Sequence, residues 1–391
     1  MKQPAADDIL NAAAVRARCA MVCAAAERGE TPHFRLRLDR LEAAAQFVAE
    51  ITRRRYPDLR VPSHSRWRHF AAGGVDRARL VSPGADPAET ARARLDLAIV
   101  SVLLDAGAGA EWRYQEAETG LTLARSEGLG VASLRAMRAG LFSADPQRPW
   151  RADAAALAAL SDTALAAAMQ HRAGNALAGF AGRSALLRRL GAVARDNPKV
   201  FGRPARLGNL YDDWRQAGAI TAAALLRTIL VTLGPVWPDR PLGDCGRHRA
   251  VPGDGLVPFH KLSQWLTYSL IEPLEEAGVA VSDLDGLTGL AEYRNGGLFL
   301  DLGVIEPRDP ALTRRRLDAQ DEAVVEWRAL TVALLDRLAG PVRALLGKSE
   351  ADFPLACVLE GGSWEAGRAA ARLRRPDGAP PLTVVSDGTL F

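Results

Sequence analysis

Residues 259–277 read FHKLSQWLTYSLIEPLEEA, and this stretch decides the fold class of the chain. Its side chains fall on two faces of a helix, because residues three and four apart become neighbours when the backbone turns every 3.6 residues. One face is apolar and carries Phe259, Leu262, Leu266, Leu270 and Leu274. The other face carries Lys261, Trp265, Tyr268 and Glu272. The pattern predicts an amphipathic helix over residues 260–277.

The same helical period recurs along most of the chain. Asp86 precedes Pro87, an order typical of a helix N-terminus. Further helices are predicted over residues 39–55, 86–107, 152–160, 162–171, 184–195, 219–233, 318–346 and 365–373. Strand signals are confined to residues 355–359 and 382–385. We therefore predict a mainly α globular fold with a small C-terminal β element.

The length of the chain bounds its domain organisation. At 391 residues it exceeds the size at which one core usually keeps growing. We expect a single elaborate helical domain over 1–391, with a possible subdivision into a helical N-terminal part, 1–235, and a part carrying the motifs, 236–391. The Pro- and Gly-rich connection 234–255 is the best boundary.

Charge, cysteine content and hydropathy narrow the class of protein. A formal net charge of +4 is too small for a dedicated nucleic-acid binder, so we expect a small-molecule partner and no nucleic acid. Four scattered cysteines predict a reducing compartment. The longest apolar stretch, 220–233, is too short to cross a bilayer, so no membrane partner is expected. These features together favour a cytoplasmic protein, and they leave its oligomeric state open.

Signatures of cofactor chemistry are missing from the sequence. We find no P-loop, no dinucleotide-binding fingerprint and no G-x-S-x-G nucleophile elbow, which disfavours ATP use, hydride transfer and α/β-hydrolase chemistry. Cys245 and His248 have a metal-ligand spacing but lack a matching second pair. We therefore expect neither a metal nor another cofactor.

Lys261 is the first candidate functional residue. The chain has four lysines among fifty basic residues, and of these Lys261 lies inside an ordered, apolar-patterned segment. Arginine cannot supply a titratable amine, so a lysine in this position indicates chemistry. Trp265 and Tyr268 on the same helix face would then line a ligand pocket. The alternative is an exposed face on which the aliphatic stem of the lysine covers apolar neighbours.

Two other segments place charged groups in apolar or aromatic surroundings. Glu292, Arg294 and Asp301 lie in the first, where the alternative is a Glu292–Arg294 ion pair that only fixes a turn. The second segment, 62–70, has the chemistry for phosphate or sugar recognition, or else forms a packed loop with arginine stacked on tryptophan. Its candidates are Arg66, Trp67 and His69.

Four strings carry a family resemblance over nearly the whole chain. They are 64–70 (HSRWRHF), 255–266 (GLVPFHKLSQWL), 292–299 (EYRNGGLF) and 386–391 (SDGTLF). In these strings the chain resembles the uracil catabolism protein four family. That family accompanies a pyrimidine degradation route in which the ring is opened while it is attached to ribose phosphate. The resemblance implies a step on ribosylurea or its phosphate that releases urea.

A shorter pattern resembles the queuosine-salvage nucleotide N-glycosylase family. An aromatic-Lys-x-x-Gln string is followed about thirty residues later by acid-Tyr-Arg and then by Leu-Gly-Val. The matching positions are Lys261, Gln264, Glu292, Tyr293, Arg294, Leu302, Gly303 and Val304. The resemblance implies a helical glycosylase-like fold with Lys261 and Glu292 in the active site. The chain departs from that family in having Glu292 for an aspartate and Asn295-Gly296-Gly297 for Val-Pro-Gln.

With both resemblances, we expect hydrolysis of an N-ribosidic bond through an oxocarbenium-like transition state. Glu292 would stabilise the positive charge and activate the water, and Lys261 would hold the acid, the water or the ribose oxygens. Urea is a poor leaving group as an anion and must be protonated. Asp301 or Asp254 would serve as that acid if burial raised its pKa.

The remaining candidates are assigned to substrate binding. The residues expected to bound the sugar or urea are Trp265, Tyr268 and His260. Those expected to bind a 5′-phosphate are Arg294 with Arg66 or Arg68. Three alternatives stay open: a metal- or nucleophile-dependent ureido or amide hydrolase, a non-catalytic nucleotide-binding protein, and a glycosylase acting on nucleic acid.

Overall fold

The computed structural model describes residues 9–385 and is mainly α, which confirms the predicted fold class. Its α-helices are α1 (Ala12–Glu27), α2 (Leu41–Arg55), α3 (Arg66–Phe70), α4 (Pro87–Leu103), α5 (Arg125–Arg138), α6 (Ala154–Ala158), α7 (Asp162–Ala168), α8 (Phe180–Asp196), α9 (Pro198–Phe201), α10 (Leu210–Ala217), α11 (Ala222–Leu233), α12 (Lys261–Glu276), α13 (Tyr293–Asp301), α14 (Glu322–Leu346), α15 (Leu355–Val358) and α16 (Trp364–Arg374). Short 3-10 turns lie at Leu38–Arg40, Ala72–Gly74, Ala78–Leu80, Leu207–Asn209, Gly234–Val236, Leu284–Gly286 and Pro310–Arg314. Every helix predicted from the sequence has a counterpart in these ranges.

Short strands pair two by two between the helices. They are β1 (Phe34–Leu36), β2 (Arg113–Gln115), β3 (Thr122–Ala124), β4 (Ala219–Thr221), β5 (Cys245–Arg247), β6 (Leu256–Pro258), β7 (Ala280–Ser282), β8 (Ile305–Pro307), β9 (Arg316–Asp318) and β10 (Thr383–Val385). The pairs are β1–β8, β2–β3, β4–β7, β5–β6 and β9–β10. Strand β10 confirms the strand predicted over 382–385, and it pairs in parallel with β9.

The strand predicted over 355–359 is wrong. These residues form helix α15 and enter a π-helix, Leu359–Ser363, which runs on into α16. The segment is buried from Leu355 to Ser363. A short apolar run buried on all sides lacks the period that distinguishes a strand from a helix, so its composition misled the prediction.

Helix α12 is buried on both of its predicted faces. It packs between α4 and α11, and its start follows His260, whose backbone is left-handed at φ 47°. Lys261 retains only 9% of its surface exposure and Trp265 3%, so the exposed-face alternative is wrong. An amine buried in this way must be compensated by charged or polar neighbours.

Close helix packing fixes the start of α13. Helix α16 crosses α13 at Gly367, where a Cβ atom would collide with the carbonyl oxygen of Arg294. The π-helix approaches α2 in the same way, because a Cβ on Gly362 would lie 2.6 Å from the carbonyl oxygen of Val48. These two glycines allow α2, α13 and α16 to pack closely together.

The principal hydrophobic core extends from Leu10 to Leu382 and includes side chains from both 1–235 and 236–391. Helix α1 packs against α14, so the first and last thirds of the described chain are in contact. The possible division into two parts stays a prediction. Within residues 9–385, none of the helices combines the length and the hydropathy needed to span a membrane.

Candidate active site

One cavity of about 690 Å³ opens where the loop after α4, the start of α12, the start of α13, helix α16 and strand β10 meet. Its walls come from residues distant in sequence, from His64 to Val385. The charged and polar lining residues include His64, His69, Asp105, Arg113, Arg125, Lys261, Glu292, Tyr293, Arg294, Arg316, Arg368 and Asp377. Trp265 and Trp364 supply aromatic walls.

Lys261 and Glu292, which the sequence singled out, line this cavity together. Burial lowers the pKa of Lys261, and the negative charges of Asp105 and Glu292 oppose that shift. Burial raises the pKa of Glu292, against hydrogen bonds from the backbone and the charge of Lys261. The ammonium and the carboxylate therefore depend on each other for their charged forms.

Glu292 is held in place by the helix that follows it. Its carboxylate caps α13, accepting the backbone N–H of Arg294 at 2.7 Å and that of Asn295 at 2.6 Å. The guanidinium of Arg294 stacks over Tyr293 at 5.3 Å and donates to the carbonyl oxygen of Gly378 at 3.0 Å. The Glu292 carboxylate therefore contacts the backbone N–H of Arg294. The Arg294 guanidinium contacts Tyr293 and Gly378 instead.

Asp105 is a third charged group at this end of the cavity. Arg66 lies 3.1 Å from one of its oxygens, and the indole N–H of Trp265 donates to the other at 3.2 Å. Arg66 is wholly buried and also donates to Ser101 Oγ at 2.6 Å. Arg66, predicted to bind phosphate, is therefore a positioning residue for Asp105.

Two histidines and two tryptophans form one wall. The His64 ring lies 4.5 Å from that of Trp265 and 6.1 Å from that of Trp364, and His69 lies 5.7 and 5.8 Å from the same two rings. Arg368 stacks on Trp364 at 4.1 Å. Flat rings at these spacings can hold a planar group such as a urea or a nucleobase.

Arginines also line the cavity. Arg125 begins α5 with a left-handed backbone, φ 54°, a strained conformation for a residue with a side chain. Burial lowers the pKa of Arg294, and the nearby charge of Arg125 lowers it further. Within residues 9–385, Arg125 and Arg316 have no carboxylate partner. This group, which we call the arginine cluster (Arg125, Arg294 and Arg316), is suited to an anion.

Other predicted site residues lie outside the cavity lining and contact segments next to it. Gln264 donates to Thr288 Oγ1 at 2.7 Å, and Tyr268 donates to the Thr288 carbonyl at 3.1 Å, which fixes the segment leading to Glu292. Trp67 donates to the carbonyl oxygen of Ser269 at 2.9 Å and packs in the core. None of Gln264, Tyr268 and Trp67 is part of the cavity lining among the described residues.

Three predicted residues lie away from the cavity. Asp254 pairs with Arg18 at 2.6 Å beside strand β6. Asp301 makes a two-pronged ion pair with Arg375, at 2.8 and 2.6 Å. His260 donates toward the carbonyl oxygen of Ile9 at 3.0 Å and lines a separate, much smaller cavity. Asp254 and Asp301, the expected proton donors, therefore do not lie beside Lys261 and Glu292. His260, the expected sugar contact, does not lie beside them either, because each of the three residues is bound to other groups.

The cavity residues that were not selected from the sequence differ in how visible they were there. Asp105 follows Leu103-Leu104 at the end of an apolar helix. A single acidic residue in that position could have been selected from the sequence as a site candidate. Trp364 follows Gly361-Gly362, which reads as an ordinary turn. No sequence signal marks Arg125. Among residues 9–385, no three His, Cys, Asp or Glu side chains are grouped as metal ligands.

Comparison with known proteins places the chain in a family. Residues 8–391 match the family described as "Protein of unknown function (DUF1688)". The chain belongs to the DUF1688 family. This DUF1688 chain is 38% identical to "Protein urg3" of Schizosaccharomyces pombe, covering 96% of each protein. It is 34% identical to "Uracil catabolism protein 4" of Lachancea kluyveri, covering 93% of each. The resemblance to the uracil catabolism protein four family is confirmed.

Proposed function

We propose that this DUF1688 protein acts in uracil catabolism, where it hydrolyses the N-ribosidic bond of ribosylurea or its 5′-phosphate and releases urea. The relative named Uracil catabolism protein 4 supports the pathway. The observation that carries the reaction is that Lys261 and Glu292, both buried, line one cavity together with Asp105. Paired acidic groups beside a fixed cation suit a reaction that develops positive charge on a sugar.

Glu292 supplies the carboxylate for the reacting carbon. As the C1′–N bond lengthens, positive charge spreads over C1′ and the ring oxygen of the ribose. An ionised Glu292 stabilises that charge and accepts a proton from the attacking water. Because both of its oxygens are fixed by the N-terminus of α13, the carboxylate has little freedom to reorganise during the reaction.

Lys261 supports the ionised form of Glu292. Burial lowers the pKa of Lys261 and raises that of Glu292, and their opposite charges act against both shifts. The ammonium has three donors, so it can also bind the ribose oxygens or the water. Asp105, fixed by Arg66 and Trp265, balances the ammonium from another side.

The arginine cluster supplies the binding site for a 5′-phosphate. Its three side chains, defined above, face the same cavity as Glu292, and Arg125 and Arg316 lack carboxylate partners within residues 9–385. A phosphate dianion would relieve the repulsion between Arg125 and Arg294. This favours the phosphorylated form of ribosylurea over the free riboside.

Turnover assays with two substrates test the proposal. Purified protein is incubated with ribosylurea or its 5′-phosphate, and urea and the ribose product are measured. We expect turnover that Lys261→Ala and Glu292→Gln each reduce by about 1,000-fold or more, since each removes a charge on which the reaction depends. Lys199→Ala, a lysine substitution outside the cavity, is the matched control. Binding of either compound without any urea formation would contradict the proposal and favour a non-catalytic binding protein.

A further inference from the structure

The proposed hydrolysis lacks a proton donor for the leaving nitrogen. The two carboxyl groups expected from the sequence, Asp254 and Asp301, are ion-paired away from the cavity. Asp105 lines the cavity, but one of its oxygens faces Arg66 and the other accepts from Trp265, so both are already engaged. Asp377 lies exposed at the rim. The donor must be sought among the remaining lining groups.

His64 has the surroundings of such a donor. Its Nδ1 atom lies 2.8 Å from Oε2 of Glu360, and both side chains are buried. Glu360 also accepts from Arg55 and from the Tyr56 hydroxyl, each at 3.0 Å. Because Nδ1 faces the Glu360 carboxylate, Nε2 is the ring nitrogen that can contact a ligand. His64 is part of the cavity lining.

The charge on Glu360 is stabilised by the groups around it. Burial by itself raises the pKa of Glu360, but the hydrogen bond from His64 and the charges of His64 and Arg55 lower it below its usual value. An ionised carboxylate beside Nδ1 accepts the Nδ1–H hydrogen bond and so fixes the orientation of the His64 ring. Glu360 lies in the π-helix Leu359–Ser363, an irregularity often found at functional sites.

The hydrogen bond at Nδ1 of His69 runs in the opposite direction to that of His64. Its Nδ1 atom lies 3.0 Å from Nη1 of Arg66, so that nitrogen accepts a hydrogen bond. Burial, together with the charge of Arg66, lowers the pKa of His69 to about 4. His69 is therefore neutral near pH 7, which leaves His64 as the histidine of this wall whose ring nitrogen contacts a carboxylate.

We propose that His64, held by Glu360, is the general acid that protonates the leaving nitrogen. This inference rests on the proposed function, which supplies the bond to be broken. The Nε2–H of the imidazolium gives its proton to the urea nitrogen as the C1′–N bond breaks. Water forms the new C1′–O bond and passes one proton to Glu292. Transfer of that proton through solvent returns His64 to its charged form, so the sum is substrate plus water giving urea and ribose.

Leaving-group dependence separates an acid from a merely structural histidine. The 5′-phosphates of ribosylurea and of 4-nitrophenyl ribofuranoside are compared, because nitrophenolate departs without protonation. We expect His64→Ala to lower kcat/KM for the urea compound by about 100- to 10,000-fold and for the nitrophenyl compound by less than about tenfold. Equal losses on the two substrates would overturn the assignment.

A second variant and chemical rescue with imidazole distinguish the loss of proton transfer from misfolding. Glu360→Gln keeps the size of the side chain but removes its charge, and it should show the same selective loss as His64→Ala. Added imidazole should restore urea release by His64→Ala, since the substitution leaves space for the missing ring; no rescue would count against a proton-transfer role. His33→Ala is the control, because His33 faces Glu322 at 3.7 Å outside the cavity.

Different assay results would contradict the proposed function and the assignment of His64. If the unaltered protein forms no urea from either form of ribosylurea, the proposed function is contradicted and the role of His64 with it. If it forms urea and Lys261→Ala abolishes this while His64→Ala does not lower it, the proposed function stands and the His64 assignment is overturned.

Discussion

Buried charges of both signs meet at Lys261, Glu292 and Asp105, and the pKa values of Lys261 and Glu292 depend on these neighbours. Burial drives the pKa of Lys261 down and that of Glu292 up, whereas each opposite charge works against the shift. Removing one charge therefore changes the titration of the others as well as the contacts at its own position. This coupling makes the pH dependence of the reaction sensitive to single substitutions.

Asp105→Asn should move the alkaline limb of the pH–rate profile to lower pH. The Asp105 charge raises the pKa of Lys261, so its loss lowers that pKa, and the lysine loses its proton at a lower pH. The measurement is kcat/KM for ribosylurea 5′-phosphate between pH 5 and pH 10. Asp212→Asn, which affects an ion pair with Arg92 remote from the cavity, should leave the limb in place. An alkaline limb unchanged in Asp105→Asn would mean that protonated Lys261 is not required.

The individual site residues were predictable to different degrees. Lys261 stood out because lysine is scarce, and Glu292 because the acid-Tyr-Arg pattern matched a known family. His64 lay inside a recognised string, but its partner Glu360 is 296 residues further along the chain. Arg125 owes its position to a left-handed backbone that the surrounding fold imposes. Pairings of this kind depend on tertiary structure, which periodicity alone does not encode.

At the scale of elements, one ion pair ties α13 to the segment after α16. Asp301 closes α13, and its carboxylate receives two hydrogen bonds from Arg375. Arg375 also donates to the carbonyl oxygen of Ala379 at 2.6 Å. Residues from Asp377 to Val385 form part of the cavity wall. Asp301 therefore positions the last segment of the described chain against the site.

Asp301→Asn should weaken substrate binding more than it slows the chemical step. The substitution loosens the wall formed by 377–385, and we expect KM to rise about tenfold while kcat changes by less than about threefold. Steady-state kinetics measure both constants. Asp196→Asn, which alters an exposed ion pair with Arg195 outside the cavity, is the control. A collapse of kcat at unchanged KM would instead favour Asp301 as the proton donor, the role first expected of it.

The helices were predicted best where they are long and amphipathic. Helices α2, α12 and α14 show a clear period, and the cap Asp86 was correctly placed, since its carboxylate accepts the N–H of Ala88 at 2.9 Å. Helix α13 was not predicted because Gly296 and Gly297 lower its helix propensity. Gly296 is needed there for packing, because a Cβ atom would lie 2.6 Å from the Trp327 ring.

At the scale of the whole molecule, the cavity joins parts of the chain that are far apart in sequence. Its walls include residues near position 64 and residues near position 385, and one core connects them. A ligand bound in the cavity therefore contacts segments from both ends of the described chain. Binding should stabilise the fold as a unit, because the unfolded chain has no such site.

Ribose 5-phosphate should raise the Tm of the protein. At a ligand concentration about 100 times Kd, the expected stabilisation is about 2.7 kcal/mol. Arg125→Met should remove most of this effect, since it takes one cation from the arginine cluster. Arg215→Met, at an exposed position of α10, should retain it. Differential scanning fluorimetry measures the shift, and equal shifts in all three proteins would contradict a phosphate site at Arg125.

The central claim is that the C1′–N bond of ribosylurea is the bond that breaks. Ribosylurea 5′-phosphate labelled with ¹³C in the carbonyl group distinguishes the possibilities by ¹³C NMR during incubation with the protein. Our account predicts that the label appears in urea and that Glu292→Gln abolishes its appearance. Label appearing in bicarbonate would show attack at the carbonyl carbon, the ureido-hydrolase reaction, and would contradict the account.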